Sequence, residues 1–337
     1  GEGEGEGEGE GEGEGEGEVV IEDAPPCDNA WTGTLTVTNE EEMLAAAQYC
    51  AVTGDLELEI PTLSSFNLSE LISVGGNLRL QYSQALESFD LSSLHTVGGI
   101  LNLDNNKELT AIELPSLVTV GGALTVVGDT TLSTLEMPGL VTVGGDLEVR
   151  MNPALKFADL PSLVSVQGSV KIDDNSGMTS LALAKLVYAG DRLDIFTNPE
   201  LVSVDLAALT KVGHLGVDNN ATLASCSFPL LSSVEGVFGL SLNPALTFLE
   251  FSALTQVGEA MYVHDNKLLD DFDFSSLASV GGDFEMKNNP ALAQCLVDAL
   301  VTQIEGDGGI GGTVASGNNK DDCTCSHNND KAEADCD

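Results

Sequence analysis

Positive charge is scarce in this chain of 337 residues: 12 Lys and Arg stand against 54 Asp and Glu, a net charge of −42. A surface so acidic repels phosphate backbones and anionic lipids, which argues against nucleic acid and acidic membranes as partners. It suits a solvated surface, a salty milieu or cation binding. Long apolar runs are missing too. None approaches the roughly 18 residues that cross a bilayer, so direct membrane insertion is not expected. Arginine occurs only as Arg79, Arg150 and Arg192. That is a thin supply for a β-helix enzyme of acidic polysaccharides, which pairs clustered Asp with Lys or Arg. No Ser/His/Asp arrangement, Walker loop or His-Glu-x-x-His stretch is present. The Cys-x-Cys-x-His stretch of Cys323, Cys325 and His327, with Cys336 beyond it, lacks the usual zinc spacing. No EF-hand loop occurs, so Asp-rich corners such as 173–177 and 307–309 would hold calcium weakly and structurally. No cofactor and no metal centre are expected.

What the chain has is repetition. The stretch Leu-Val-Thr-Val-Gly-Gly stands at 117–122 and again at 140–145. Val-Gly-Gly begins at Val74, Val97, Val120, Val143 and Val280, with degenerate copies at Val166, Ala189, Val212, Val234 and Val257. The step is 23 residues, with a single 22 where a glycine is missing after Gly213. A fixed period of this length marks a solenoid. Within one unit apolar residues fall at Leu101, Leu103, Leu109, Ile112, Leu114, Leu117 and Val120. Alternation at offsets 0/2 and 11/13 predicts two short strands per coil. The glycine pair predicts a corner, through positive φ or close backbone approach. The second alternation favours a β-helix over a horseshoe that follows its strand with a helix. Strand starts from Leu56 to Phe284 count eleven coils, a rod roughly 50 Å long at about 4.8 Å per coil.

One polar column runs through the repeat. Offset 5 holds Asn106, Asp129, Asn152, Asn175, Asn198, Asn220, Asn243, Asn266 and Asn289. A surface loop would not keep an amide in register over so many units. The column is expected to turn inward and bond the backbone of adjacent coils.

Both ends of a solenoid need covers. Residues 38–50 read as a capped helix, with Thr38 or Asn39 at the N-cap and acids in the first turn. Cys27 and Cys50 flank it, and bridging them would close a loop of about 24 residues, worth roughly 3 kcal/mol. Cys226 falls in a core column and reads as a small buried hydrophobe. Cys295 lies too far from it to bond and is expected to pair with Cys323 or Cys325 at the C-terminal cap, with Cys325–Cys336 a further option. Paired cysteines at both ends suggest an oxidising compartment.

A cysteine, a Gly-Thr-Leu strand, a short helix, a second cysteine and then Gly-Asp-Leu-Glu-Leu-Glu at 54–59 resemble the start of the receptor L domain. That family includes domains of the insulin and epidermal-growth-factor receptors and fungal and bacterial surface proteins. The resemblance covers about 27–325. It implies an all-β solenoid, a right-handed single-stranded β-helix of about eleven 23-residue leucine-rich-like coils with an N-terminal helical cap. The coils outnumber those of the receptor domains about twofold, and no kinase, transmembrane or furin-like region accompanies them. Receptor signalling is therefore not implied.

Residues 1–26 open with nine Gly-Glu repeats, expected to be a disordered tether that stretches to about 60 Å over its first 18 residues. Residues 326–337 read as an acidic tail. A lipid anchor upstream of Gly1 would complete a cell-surface or secreted protein. The expected function is a non-enzymatic binding or structural module that recognises a protein or glycan through the outward face of the first strand. On that face Arg79, Arg150, Phe196, Tyr262 and His264 are the unusual residues and the candidate ligand contacts. The rival is a polysaccharide-active lyase or hydrolase using carboxylates such as Asp173, Asp174 and Asp218.

Overall fold

The computed structural model describes residues 24–320. The Gly-Glu repeats, the acidic tail and Cys323, Cys325, His327 and Cys336 lie outside the described residues, and with them the expected C-terminal disulfide. The described chain is a parallel β-solenoid of about eleven turns with two helices. Every coil stacks on the next in register. Leu101 sits between Leu78 and Leu124, Ile112 pairs with Leu135, and Val120 sits between Val97 and Val143. The leucine columns close into one continuous core, with Leu101, Leu103, Leu109, Ile112, Leu114 and Leu117 all fully buried. Towards the C-terminal end one leucine column becomes phenylalanine. Phe228, Phe251 and Phe274 stack with centroids 5.1 and 5.3 Å apart. Cys226 is buried in the neighbouring column, as expected of a hydrophobe.

Each coil has a third strand that alternation did not reveal. It is two residues long in most coils, as at Thr119–Val120, and stacks the Ser/Thr-Val pair that precedes the glycines. Two residues are too few to show a period. The glycine corner follows, and it is glycine because of contact. A Cβ on Gly98 would lie 2.2 Å from the Gly75 carbonyl oxygen, and one on Gly121 would lie 2.2 Å from that of Gly98. Positive φ appears at a different corner, just before the amide column. Asn105, Gly128, Asp174, Asn219, Asp265, Asn288 and Asn318 occupy it comfortably, but Tyr82, Met151, Thr197 and Leu242 hold it too. Those four carry side chains that the left-handed region disfavours.

The amide column points inward and is fully buried. Asn152 Nδ2 donates to the Val126 carbonyl of the preceding coil at 2.9 Å, while its Oδ1 accepts from the Asp129 N–H at 2.9 Å. Asn175, Asn198, Asn220, Asn243, Asn266 and Asn289 repeat both bonds. The ladder extends beyond the expected column at both ends. Ser83 donates its N–H to Asn106, and Asn289 donates to Asn319, whose amide reaches the Met286 carbonyl.

Asp129 is the exception. Its Oδ1 accepts from the Asn106 N–H, but its Oδ2 is buried without a partner. An amide there would donate to Leu103 O, and Asn106 Nδ2 serves that carbonyl instead while also serving Leu80 O. Burial, opposed by the Asn106 hydrogen bond and reinforced by the nearby Asp104 charge, pushes the Asp129 carboxyl up to about 8.

The caps form as strands and helices added to the same stack. Leu35–Val37 pairs with the first counted coil, and Val314–Gly317 pairs with Phe284–Lys287 of the last. Helix α1 (Glu40–Ala46) has Asn39 at its N-cap, accepting from the Glu42 N–H, while the Glu42 carboxylate accepts from Thr38. Cys27 and Cys50 are bonded across it, with Cα atoms 5.6 Å apart. Helix α2 (Gln294–Asp307) is inserted in the final coil and lays Val297, Leu300 and Ile304 over its core.

Two stability predictions follow from the corner. The unfolded Asp129 carboxyl releases its proton near pH 4, and the folded one holds it to about 8. The contribution of Asp129 is therefore constant below pH 4 and falls by about 1.4 kcal/mol per pH unit above it, until both forms are ionised. Asp129→Asn removes that loss, so urea unfolding at pH 4 and pH 8 should show the variant gaining on the parent only at the higher pH. Met151→Asn should stabilise by about 0.5–1 kcal/mol, read as a raised urea midpoint at unchanged slope, by easing the left-handed backbone.

Candidate functional site

Strand rigidity makes the outward face a fixed array, with rungs about 4.8 Å apart. Over its N-terminal half that array is tied together by ion pairs between coils. Arg79 bridges Asp55 and Glu57, each at 3.3 Å. Arg150 Nε holds Asp173 at 2.6 Å, with Glu148 also in reach at 3.8 Å, and Lys171 pairs with Glu148 at 2.8 Å. These side chains remain partly exposed, and pairs of that kind contribute little energy. They do occupy both arginines, so Arg79 and Arg150 stand as staples within the face. Asp173 is likewise committed to Arg150, and Asp174 sits at the left-handed corner rather than beside Asp218.

The array breaks between Asp194 and Tyr262. In register, the column reads Asp194, Gly216, Gly239, Tyr262. Two consecutive glycines leave a recess of about 320 Å³. Its lining includes Arg192, Asp194, Phe196, His214, Asp218, Ser241, Tyr262 and His264. The two glycines differ. A Cβ on Gly216 would lie 2.7 Å from Phe196 Cζ and 2.9 Å from Asp194 Oδ1, so the phenyl ring leans across and lies against Gly216. A Cβ on Gly239 would meet nothing nearer than the Leu215 carbonyl oxygen at 3.7 Å. Gly239 is thus the open floor, with the Phe196 ring on one side and Tyr262 on the next rung.

The walls depend on a local loss of the repeat. Elsewhere the strand is interrupted at the corner, even where only one glycine remains, as after Val166, Val234 and Val257. Here the second glycine is replaced or deleted, and strands run unbroken over Tyr188–Phe196 and Lys211–Asp218, with a register shift between Ala189 and Arg192. The unbroken strands carry Arg192 and His214 to the rim. His214 Nδ1 accepts from the Val237 N–H at 3.0 Å, which leaves Nε2 as the ring's donor. Asp194 is nearly buried, and burial raises its carboxyl pKa against the pull of Arg192, 3.3 Å away. Asp218 Oδ1 accepts from the Ser241 hydroxyl at 2.6 Å. His264 Nδ1 lies 2.8 Å from Asp265 Oδ2.

Of the five expected contacts, Phe196, Tyr262 and His264 share this recess, and Arg79 and Arg150 lie outside it. Arg192, Asp194, His214, Gly216 and Gly239 join it without having been anticipated. The signal available for them was the pair of glycines one repeat apart at a position that otherwise carries side chains, beside the missing corner glycine. Among the described residues no group of His, Cys, Asp and Glu is arranged to hold a metal ion. No described helix is long and apolar enough to cross a membrane.

No protein-family model matches the chain, and no curated protein matches it. Among solved structures, the crystal structure of the pneumococcal vaccine antigen PcpA aligns over 86% of this chain and 89% of that one. The identity is 11% and the TM-score 0.18, too low for the likeness to carry weight.

The two glycines are separable by substitution. Gly216→Ala should displace the Phe196 ring and reshape the recess, at a cost of about 1–3 kcal/mol. Gly239→Ala should leave stability within about 0.5 kcal/mol of the parent. Chemical denaturation of both variants checks the contrast.

Proposed function

We propose that this protein is a non-enzymatic, exported, surface-associated binding module of the receptor L-domain type, and that it holds a glycan in the recess between Phe196 and Tyr262. The observation that carries this reading is the open floor at Gly239 between two aromatic side chains, on a face whose other charged residues are largely paired. Sugar rings present flat C–H surfaces to aromatic rings and hydroxyls to fixed polar groups. Asp194, Asp218, Ser241 and His214 supply acceptors and donors on rigid strands at the same opening. The Cys27–Cys50 bond supports an oxidising, extracellular setting. Right-handed coils belong to this reading, being the hand that parallel crossovers adopt.

A second reading has one observation in its favour. Asp194 and Asp218 share the recess, and the charge of Asp218 is among the causes that raise the Asp194 carboxyl, behind its burial. Two carboxyls at one opening, one of them raised by burial, is an arrangement that polysaccharide-cleaving enzymes use. The opening of the recess and the engagement of Arg79 and Arg150 outside it favour binding.

A glycan array probed with the purified chain, run beside a reducing-sugar release assay on the bound glycans, separates the two. Binding without new reducing ends is expected. Turnover that Asp194→Asn or Asp218→Asn abolishes would establish the enzyme instead. Gly239→Trp fills the floor at a position with room for a side chain and should remove array binding while leaving the melting temperature within about 3 °C. Undiminished binding by that variant would move the site elsewhere on the rod.

A further inference from the structure

Asp218 departs from the pattern of its own face. From Glu148 to Glu285 the outward strand carboxylates have cations: Glu148 has Lys171, Asp173 has Arg150, Asp194 has Arg192 and Glu285 has Lys287. Among the described residues no Lys or Arg pairs with Asp218, which has only the Ser241 hydroxyl. Of the neighbouring histidines, His214 Nδ1 accepts from the Val237 N–H and His264 Nδ1 lies against Asp265. In register Asp218 lies directly beside Phe196 and borders the open floor.

A carboxylate without a cation, next to an aromatic ring and an opening, is a seat for a positive charge brought by a ligand. Two attractions act there together: a charge-assisted hydrogen bond to the carboxylate, and the pull of the ring face on a cation. The net charge of −42 concentrates cations around the whole rod and repels acidic sugars. We infer that the recess takes an amine-bearing saccharide, a hexosamine unit whose protonated amino group sits on Asp218 while its ring occupies the gap between Phe196 and Tyr262. This rests on the glycan-binding reading above and narrows it to one chemical class. Acetylating the amine removes both the charge and two of its hydrogen-bond donors, so the acetylated sugar binds less well. A neutral hexose lacks the anchor altogether.

The test is titration calorimetry of the full chain with three short oligosaccharides of equal length: glucosamine units with free amines, the same units N-acetylated, and plain glucose units. The parent should bind the free-amine oligomer about tenfold or more tightly than either of the others, the scale of one hydrogen bond to a charged group. Asp218→Asn keeps the shape and can still accept from Ser241, and it should bring the three affinities together. Gly239→Trp leaves the net charge unchanged and should abolish binding of all three. That variant separates the seat from general attraction of polyamines to an acidic protein. Thermal melts establish that both variants are folded. A preference for the free amine that survives Asp218→Asn, or that survives Gly239→Trp, overturns the proposed seat. So does equal affinity of the parent for the amine and its acetylated form, and in that case glycan binding itself stands. Absence of binding to all three, together with an empty array, overturns both readings.

Discussion

A coil of 23 residues has a leucine-lined interior and a sharp corner, and alone it can neither cover the leucines nor satisfy the corner's backbone. The buried amide resolves the second problem with both of its ends. Its nitrogen donates to a carbonyl of the preceding coil, and its oxygen accepts an N–H from that same coil, as Asn152 does with Val126 and Asp129. Only a neighbour in strict register can offer both groups at once. A slip by one residue would bury an unpaired amide and an unpaired carbonyl, each costing about 1–3 kcal/mol. Register is thus fixed from inside, by polar groups, while the leucines supply the bulk of the burial. Asp129 shows the same requirement by violating it. The chain meets the carboxyl's missing donor by letting Asn106 serve two carbonyls.

Fixed register has an electrostatic consequence on the outside. Like positions stack about 4.8 Å apart, so a column that repeats an acid stacks charge on charge. With 54 acids and 12 Lys and Arg, cations are placed where they bridge two coils, as Arg79, Arg150 and Lys171 do. Such pairs add little stability. Their effect is to define which carboxylates are answered within the protein. Asp218 lacks such a cation and borders the recess, whereas Asp104, likewise without one, accepts from the Asn102 amide and the Val127 N–H.

The period, the inward amides, the N-terminal helix and its disulfide were legible in the sequence because each is a pattern held across many residues or a paired signal at known spacing. The two-residue third strand was illegible because two residues have no period. Helix α2 was present in the spacing of Val297, Leu300 and Ile304, but it interrupts a coil whose beginning still fits the repeat. The glycine corner was placed correctly for one of its two offered reasons, close approach, while positive φ belongs to the neighbouring corner at 105, 128 and 151. Arg79 and Arg150 look like ligand contacts when arginine is counted along a chain. The acids one coil away that hold them, Asp55 and Asp173, become neighbours only once the coils are stacked. The recess was the hardest to see because it is made by what is missing. Gly216 and Gly239 are ordinary residues in a glycine-rich chain until their column is drawn.

A regular solenoid can acquire specificity only where its repetition is broken. Repetition guarantees the frame and, by itself, offers every rung the same surface. A recess requires a local exception that leaves the inner constraints intact. Between 189 and 239 the outward column loses two side chains and the corner loses a glycine, yet Asn198, Asn220 and Asn243 keep both ladder bonds through the same coils. The 22-residue step is absorbed by a register shift at Ala189–Arg192 and by longer strands, outside the amide column. The interior therefore tolerates the exception, and the rigid neighbours hold Phe196 against Gly216 and Tyr262 beside Gly239 with no loop to reorganise. A site built this way is preorganised at the backbone, and a ligand that enters it has little ordering cost to offset.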